Sequence, residues 1–167
     1  RPREGGGYEI IAGHRRKHGS ELAGLSAMPC IVRQMDDDTA TILMVDSNIQ
    51  RENILPSERA QAYKMKLEAI KRQGARTDLT SPQVAAKFRA DDEVAKGADV
   101  SGDTVRRYIR LTELSPELQQ MVDEKKIGMT PAVEISYLKP EEQQMLLTAI
   151  DSEQATPSLS QAQRMKK

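Results

Sequence analysis

The pattern of the chain changes at Pro56. Before this residue, short apolar segments alternate with polar turns, which predicts a small mixed α/β unit over residues 1–55. After it, apolar residues recur at the spacing of one helix face: Ala60, Tyr63, Leu67 and Ile70. The sequence therefore predicts an α+β protein, in which the mixed unit precedes an all-α domain over residues 56–152.

Paired hydroxyl and proline residues predict several helix starts in the second half. A capping Ser or Thr followed by a proline in the first turn is typical of a helix N-terminus, and the chain has three: Ser81-Pro82, Ser115-Pro116 and Thr130-Pro131. Lys139-Pro140 begins a further helix, whose predicted apolar side is Met145, Leu146 and Ile150. The polar composition after Ser152 predicts a linker or tail over residues 153–167.

Two short apolar segments in the N-terminal unit are predicted to be strands. Residues 8–12 form the first and residues 28–32 the second, which would bury Cys30. A helix is expected from His14 to about Leu25, and another, capped by one of three aspartates, runs to about Ile49. Because the chain begins with Arg1 close to a predicted strand, we expect it to be a fragment that lacks the first strand or strands of this unit.

A helix-turn-helix is predicted between Asp91 and Leu111. Asp91 or Asp92 would cap its first helix, which has Val94 and Ala95 inside, and the turn covers residues 97–100. Ser101 would cap the second helix, whose apolar face is Val105, Tyr108, Ile109 and Thr112. Helix, short turn and helix is the arrangement with which many proteins read the major groove of DNA.

The opposite face of the second helix is basic. It would present three arginines, and its N-terminal residues would point at base edges, so the candidate DNA-binding residues are Ser101, Gly102, Asp103, Thr104, Arg106, Arg107 and Arg110. A solvated amphipathic helix would carry a similar charged face. The absence of acidic residues between Asp103 and Glu113 favours the DNA-binding interpretation.

Composition narrows the possible ligands. The formal net charge is zero, with 25 basic and 25 acidic residues, so any DNA contact is expected to be local. With no Trp and 3% aromatic residues, a sheet that stacks single-stranded bases is not expected. The single Cys excludes an internal disulfide and a thiolate zinc cluster. No apolar run reaches membrane-spanning length, so no membrane partner is expected.

Two polar clusters in the first half are candidate anion sites. A strand that ends in Gly13 at the start of a helix offers free backbone N–H groups, and Arg15 and Arg16 add positive charge there. The second cluster surrounds Asn48 and Arg51 just before Pro56, where it is either a solvated hinge or a ligand site.

The order of these motifs resembles the ParB family of chromosome and plasmid partition proteins. The segment YEIIAGHRR at residues 8–16 is similar to the family's nucleotide-binding motif, and residues 47–60 are similar to its second motif. A helix-turn-helix follows in the family's order, and RLTELSPEL at residues 110–118 is also typical. The resemblance covers about residues 8–150 and implies a ParB/sulfiredoxin-like N-terminal unit.

The resemblance also implies a function: a CTP-gated DNA clamp that binds a palindromic centromere-like site on double-stranded DNA in chromosome, plasmid or mobile-element segregation. CTP and Mg²⁺ would bind the N-terminal unit, the full-length protein would be a homodimer, and a ParA-type ATPase would be a further partner. The protein would lie in the bacterial cytoplasm on the nucleoid. By motif position the nucleotide-binding residues would be Gly13, His14, Arg15, Arg16, Asn48 and Arg51, with Asn48 as the magnesium ligand.

Two positions depart from the family pattern. His14 and Ser47 stand where the family usually has glutamates that serve the metal or the attacking water, so CTP hydrolysis would be weak, and no catalytic residue is assigned. One alternative is therefore a helix-turn-helix regulator or adaptor with a degenerate nucleotide site. A sulfiredoxin-like enzyme would need a cysteine in the turn at Gly13, and a nuclease would need more carboxylates than Asp46 and Glu52.

Overall fold

A computed structural model describes residues 1–51, 53–77 and 90–165. The regular secondary structure in these parts of the chain consists of helices. The helices are α1 (His14–Leu22), α2 (Asp37–Ile49), α3 (Pro56–Thr77), α4 (Ala90–Lys96), α5 (Gly102–Arg110), a 3-10 turn (Leu111–Glu113), α6 (Pro116–Asp123), α7 (Met129–Ile135), α8 (Pro140–Glu153) and α9 (Leu159–Met165). The prediction that the second part of the chain is helical is thus confirmed.

The two strands predicted in the N-terminal unit are not formed. Residues 8–12 and 28–32 contain no strand, and the described residues contain one isolated antiparallel bridge, between Pro2 and Tyr8. Tyr8 is 70% exposed and Ile31 is 84% exposed, and Cys30 is exposed rather than buried. Two segments of about five residues bury too little apolar surface to hold a sheet together, so the α+β part of the prediction is not confirmed.

Helix α2 connects the N-terminal residues to the helical domain by packing along α3. Its start is capped as predicted, since the Thr39 amide donates to Asp36 Oδ1 at 2.8 Å. The interface carries charge: Lys66 Nζ lies 2.6 Å from Asp46 Oδ1, and Arg72 Nε lies 2.7 Å from Asp38 Oδ1. These ion pairs connect α2 of the N-terminal unit to α3 of the helical domain.

The main core lies among α3, the 3-10 turn and α6 to α9. Its fully buried members include Ala60, Leu111, Leu118, Ala132, Ile135 and Ala162. Asp123 at the end of α6 also caps the start of α3, because the Ser57 amide donates to its Oδ1 at 2.9 Å. The first turn of the long helix is therefore fixed by a residue from another helix.

Two of the four helix starts predicted from a proline in the second half are found where expected. Ser115 caps α6 by accepting from the Leu118 amide, and Pro140 begins α8, where the Lys139 amide donates to Glu142. The helix predicted to start at Pro131 instead begins at Met129 with Gly128 before it, so Thr130 lies inside the helix. The start predicted at Ser81-Pro82 lies outside the described residues.

The end of the chain is also helical where the structure describes it. Residues 153–167 are predicted as a linker or tail, yet α9 packs against α7 and buries Ala162 completely. The prediction failed there because one small side chain suffices for close helix contact, and an alanine among polar residues gives no apolar stripe. Met145 of α8 is 71% exposed, so it is not part of the core. None of the described helices has the length and apolar character needed to cross a membrane.

Candidate nucleic-acid interface and nucleotide site

The predicted helix-turn-helix is present as α4, a short turn and α5. The Ala98 and Val100 amides donate to the Ala95 carbonyl, at 3.0 and 3.5 Å, and close the turn. Asp99 has φ 52, a left-handed conformation that aspartate tolerates. Ser101 is extended and caps α5, since the Thr104 amide donates to Ser101 Oγ at 3.1 Å. The cap of the second helix is confirmed, whereas Asp91 and Asp92 lie within α4.

The inner face of the motif packs on α3. Val94, Ala95 and Val105 are buried around Tyr63 of α3. The rings of Tyr63 and Tyr108 meet edge to face, with centroids 5.7 Å apart. Burial raises the pKa of the Tyr63 phenol, which therefore stays neutral. This cluster holds the motif on the long helix and leaves the start of α5 open to solvent.

The outer face of α5 exposes Ser101, Asp103, Arg106 and Arg107, with Thr104 half-buried. The Arg106 guanidinium donates to the carboxylates of Asp91 and Asp103. The hydrogen bond to Asp103, more than any other contact, raises the pKa of Arg106. Arg107 Nη2 donates to Thr130 Oγ1 at 2.8 Å. Two guanidinium groups are therefore held in defined positions beside the N-terminal half of the helix.

Arg110 does not lie on this face. Its guanidinium stacks over the Tyr137 ring, 4.1 Å from the centroid, and donates to the carbonyl and hydroxyl oxygens of Ser136. The end of α7 lies against the last turn of α5 and supplies these acceptors, so the structure gives no support to a DNA contact by Arg110, which stays a prediction.

Gly102 is also not an exposed residue. It is buried, and a side chain there would collide with the Asp92 carboxylate of α4. A larger residue at this position would force the exposed Asp92 side chain to move, and the burial of Gly102 gives no support to a direct contact with DNA.

At the N-terminal candidate anion site the predicted helix follows Gly13, whereas the strand predicted before it is absent. Gly13 has φ 102, a left-handed conformation that favours glycine, and α1 begins at the next residue. A Cβ placed on Gly13 would lie 3.5 Å from Arg16 Nη2, so the guanidinium folds back over the turn. His14 and Arg15 are exposed beside it.

Part of the second polar cluster lines the same open cleft as this turn, with a volume of about 1560 Å³. The lining residues include Gly13 and Arg16 from the turn and Asp46, Ser47 and Gln50 from the end of α2 and the residue after it. The remaining predicted nucleotide residues do not line it: His14, Arg15, Asn48 and Arg51. Asn48 is half-buried at the end of α2, where its carbonyl accepts from the Arg51 amide at 3.1 Å.

The oxygen donors near this cleft suit a magnesium ion that is held mostly by phosphate and water. Asn48 offers an amide oxygen, and the Asp46 carboxylate is already paired with Lys66. Among the described residues no three His, Cys, Asp or Glu side chains come together as a metal cluster. Glu52 lies outside the described residues. Mg²⁺ needs only one or two protein ligands when phosphates supply the rest, so an amide oxygen is a suitable type of donor. Asn48 does not line the cleft, however, and its role as the magnesium ligand stays a prediction.

Sequence reasoning missed two buried polar residues, Lys66 and Gln143. Lys66 is 4% exposed and Gln143 is 3% exposed. The spacing of α3 contains a signal for the first, because Lys66 follows Tyr63 by three residues and therefore lies near the buried face. Gln143 carries the same kind of signal, because it precedes Leu146 and Ile150 of α8 by three and seven residues and therefore lies on the predicted apolar face.

Comparisons with known proteins agree with this architecture. Residues 1–49 match the family model of the ParB N-terminal domain, and residues 52–162 match that of the ParB HTH domain. A probable chromosome-partitioning protein ParB from Vibrio cholerae is 33% identical over 151 residues, which are 90% of this chain and 46% of that protein. The chromosome-partitioning protein Spo0J from Thermus thermophilus is 31% identical, over 83% of this chain and 45% of its own length.

A solved structure shares the fold. It is the C-terminally truncated chromosome-partitioning protein ParB from Caulobacter crescentus, complexed to the centromeric parS site. The TM-score is 0.60 at 22% identity, and the match covers 94% of this chain and 73% of that one. The chain spans less than half the length of the two curated relatives described above. Two domain models in the expected order and relatives above 30% identity show that the chain belongs to the ParB family of partition proteins.

Proposed function

We propose that this chain is the DNA-binding part of a partition protein and that it recognises a palindromic, centromere-like site on double-stranded DNA. The observation that carries the proposal is the exposed start of α5, which is capped by Ser101 and flanked by the fixed guanidinium groups of Arg106 and Arg107. A helix-turn-helix places this part of its second helix in the major groove. Arginine is also the side chain that most often reads guanine there.

The charge of the chain indicates how it would bind. Since the net charge is zero, non-specific attraction to DNA is weak, and the contacts are expected to be concentrated at the exposed start of α5. The Caulobacter crescentus relative was solved on a parS site, which supports a centromeric target for this chain as well.

The test is selection of binding sites from a random double-stranded library by the 167-residue chain, followed by titration of the selected site against salt. We expect an inverted repeat, because a homodimer of the full-length protein would present two copies of α5. The logarithm of the affinity should fall with the logarithm of the salt concentration with a slope near −0.9 for each phosphate contact. Recovery of unrelated sequences at every round would refute site-specific binding.

We further propose that the N-terminal unit binds CTP with Mg²⁺ and that nucleotide binding closes a dimeric clamp on DNA at the nucleoid, with a ParA-type ATPase as partner. The left-handed turn at Gly13 and the start of α1 support the proposal, because backbone N–H groups and a positive helix end favour phosphate. Arg16 and Lys17 add positive charge along the same cleft. The magnesium ion would be held by Asn48 and would screen the phosphate charge.

Hydrolysis of CTP by this chain is expected to be weak. His14 and Ser47 stand at the two positions where the family resemblance implies glutamates, and the nearby Asp46 carboxylate is neutralised by Lys66. Among the described residues that line the cleft, the two carboxylates are those of Glu9 and Asp46, and both are held in ion pairs, with Arg1 and Lys66 respectively.

Competition with labelled CTP tests the nucleotide proposal. In the presence of Mg²⁺, unlabelled CTP should displace the label far better than ATP, GTP or UTP, and Arg15→Ala and Arg16→Ala should each weaken binding about tenfold or more, as expected for the loss of a charge-assisted phosphate contact. Lys71→Ala, which removes an exposed charge from α3, is the matched control and should bind as wild type does.

The same experiment tests the second candidate function, a helix-turn-helix regulator or adaptor with a degenerate nucleotide site. The pairing of Asp46 with Lys66 favours it, because this pair withdraws a carboxylate from the cleft. If no nucleotide bound even with the selected DNA present, this second function would replace the clamp.

A further inference from the structure

An ion pair between a buried lysine and a half-buried aspartate lies beneath the turn of the helix-turn-helix. Lys66 of α3 is 4% exposed, and its Nζ lies 2.6 Å from Asp46 Oδ1 of α2. A Cβ placed on Gly97, the first residue of the turn, would lie 2.6 Å from that Nζ and 3.3 Å from Asp46 Oδ1. Three segments that are distant in sequence therefore meet at one ammonium group.

The glycine at this point is needed for space. The φ of Gly97 lies outside the left-handed region, so another residue could adopt its backbone conformation. A side chain there would displace either the ammonium of Lys66 or the turn. The backbone of the turn is consequently seated directly on the Asp46–Lys66 pair.

The ion pair fixes the orientation of the turn, which the apolar contacts do not. Val94, Val105 and Tyr63 hold the motif on α3 through contacts that tolerate small sliding movements. An ion pair at hydrogen-bonding distance fixes both distance and orientation, and in some proteins a buried polar or ionic group sets register while adding little stability. Any sliding of the turn over Lys66 would also rotate α5, which begins five residues after Gly97.

We propose that Lys66 is a positioning residue for the recognition helix: together with Asp46 it seats the turn at Gly97 and thereby fixes the orientation in which α5 meets DNA. The inference rests on the proposed DNA-binding function. Lys66 itself touches no DNA in this arrangement, since it is buried beneath the turn.

The test replaces the pair by neutral side chains of similar size, Lys66→Met with Asp46→Asn, so that no unpaired charge is left buried. Backbone amide exchange and DNA binding are then measured on the whole 167-residue chain. We expect a melting temperature close to that of wild type, faster exchange of the Ala98 and Val100 amides, and an affinity ratio of selected site to random DNA that falls about tenfold, the size of one lost base contact.

A pair of glycine variants provides the matched control. Gly97→Ala should act in the same direction, because its methyl group enters the space of the ammonium. Gly74→Ala lies on the same long helix as Lys66 with nothing within 4 Å of the new Cβ, and it should leave exchange and the affinity ratio unchanged.

The outcomes separate the inference from the function on which it rests. If the Ala98 and Val100 amides exchanged at the wild-type rate in the variant with the neutral pair, the ion pair would not seat the turn, whatever the DNA affinity of that variant. Faster exchange with an unchanged affinity ratio would overturn the positioning role. A wild-type chain that selects no DNA site would instead refute the proposed function, while exchange at Ala98 and Val100 would still decide whether Lys66 seats the turn.

Discussion

Removal of the guanidinium groups of both Arg106 and Arg107 is expected to abolish site-specific DNA binding while the fold stays intact. Both side chains are exposed, so their truncation leaves no cavity. Each well-formed arginine contact with a base is worth about 1–3 kcal/mol, so the double variant should lose roughly 30-fold to 10⁴-fold in affinity for the selected site. The measurement is a titration of wild type and Arg106→Ala/Arg107→Ala against the selected and a scrambled duplex.

Two controls match this variant in different ways. Arg110→Ala removes an arginine from the same helix, but the structure places that guanidinium on Tyr137 and Ser136. It should lower the free energy of unfolding by about 1–3 kcal/mol and leave DNA affinity unchanged well below the melting temperature. Lys71→Ala with Arg164→Ala removes two exposed charges from other helices, and this variant should retain the site preference.

The salt dependence distinguishes two roles for the exposed pair. If Arg106 and Arg107 read bases, the double variant should lose affinity for the selected duplex more than for the scrambled one. An equal loss on both duplexes, with a shallower salt slope, would make them phosphate contacts. Full retention of affinity by the double variant would show that another surface binds DNA.

The helical part of the fold follows from local signals in the sequence. Ser101 and Ser115 cap their helices as predicted, and Tyr63, Val94 and Val105 are buried at the predicted spacing. These features depend on hydrogen bonds within four residues and on a repeat of about 3.6, both of which can be read from a single segment. The position of the helix-turn-helix could be predicted for the same reason.

The N-terminal unit could not be predicted in the same way. A strand is stable only when another segment pairs with it, and the apolar runs at residues 8–12 and 28–32 do not specify their partners. The structure leaves them without strand pairing, with Tyr8 and Ile31 exposed. The start of α1 directly after Gly13, in contrast, is a local feature and agrees with the prediction.

The contacts that polar side chains make could not be predicted from the sequence either. Arg106 and Arg110 lie one helical turn apart and look equivalent in sequence, yet one is exposed and the other packs on α7. The difference arises from Ser136 and Tyr137, which are more than 25 residues away in the chain. Amphipathic spacing shows which way a side chain points and carries no information on what another helix places there.

The largest effect on stability outside the apolar core is expected for Gln143→Ala. Gln143 joins three segments: its Oε1 accepts from the Ser115 amide at 2.8 Å, and its Nε2 donates to the carbonyls of Glu113 and Leu138, each at 3.1 Å. Truncation would leave these backbone groups without partners in a buried site, at about 1–3 kcal/mol for each unsatisfied group. We expect a total loss of about 2–5 kcal/mol in urea denaturation, since water can reach some of the groups.

The next residue in the chain offers the control. Gln144 has the same side chain on the same helix but is exposed, so Gln144→Ala should change the free energy of unfolding by less than about 0.5 kcal/mol. Gln143→Glu keeps the acceptor for Ser115 and loses both donors, so its loss should be at least as large as that of the alanine variant, because a carboxylate would face two carbonyl oxygens. Equal stability of the two alanine variants would show that Gln143 does not join the 3-10 turn, α6 and α7. The expected order of stabilities would show that the hydrogen bonds of Gln143 hold these segments of the helical domain together. The 3-10 turn directly follows α5, so the position of α5 would then also depend on Gln143.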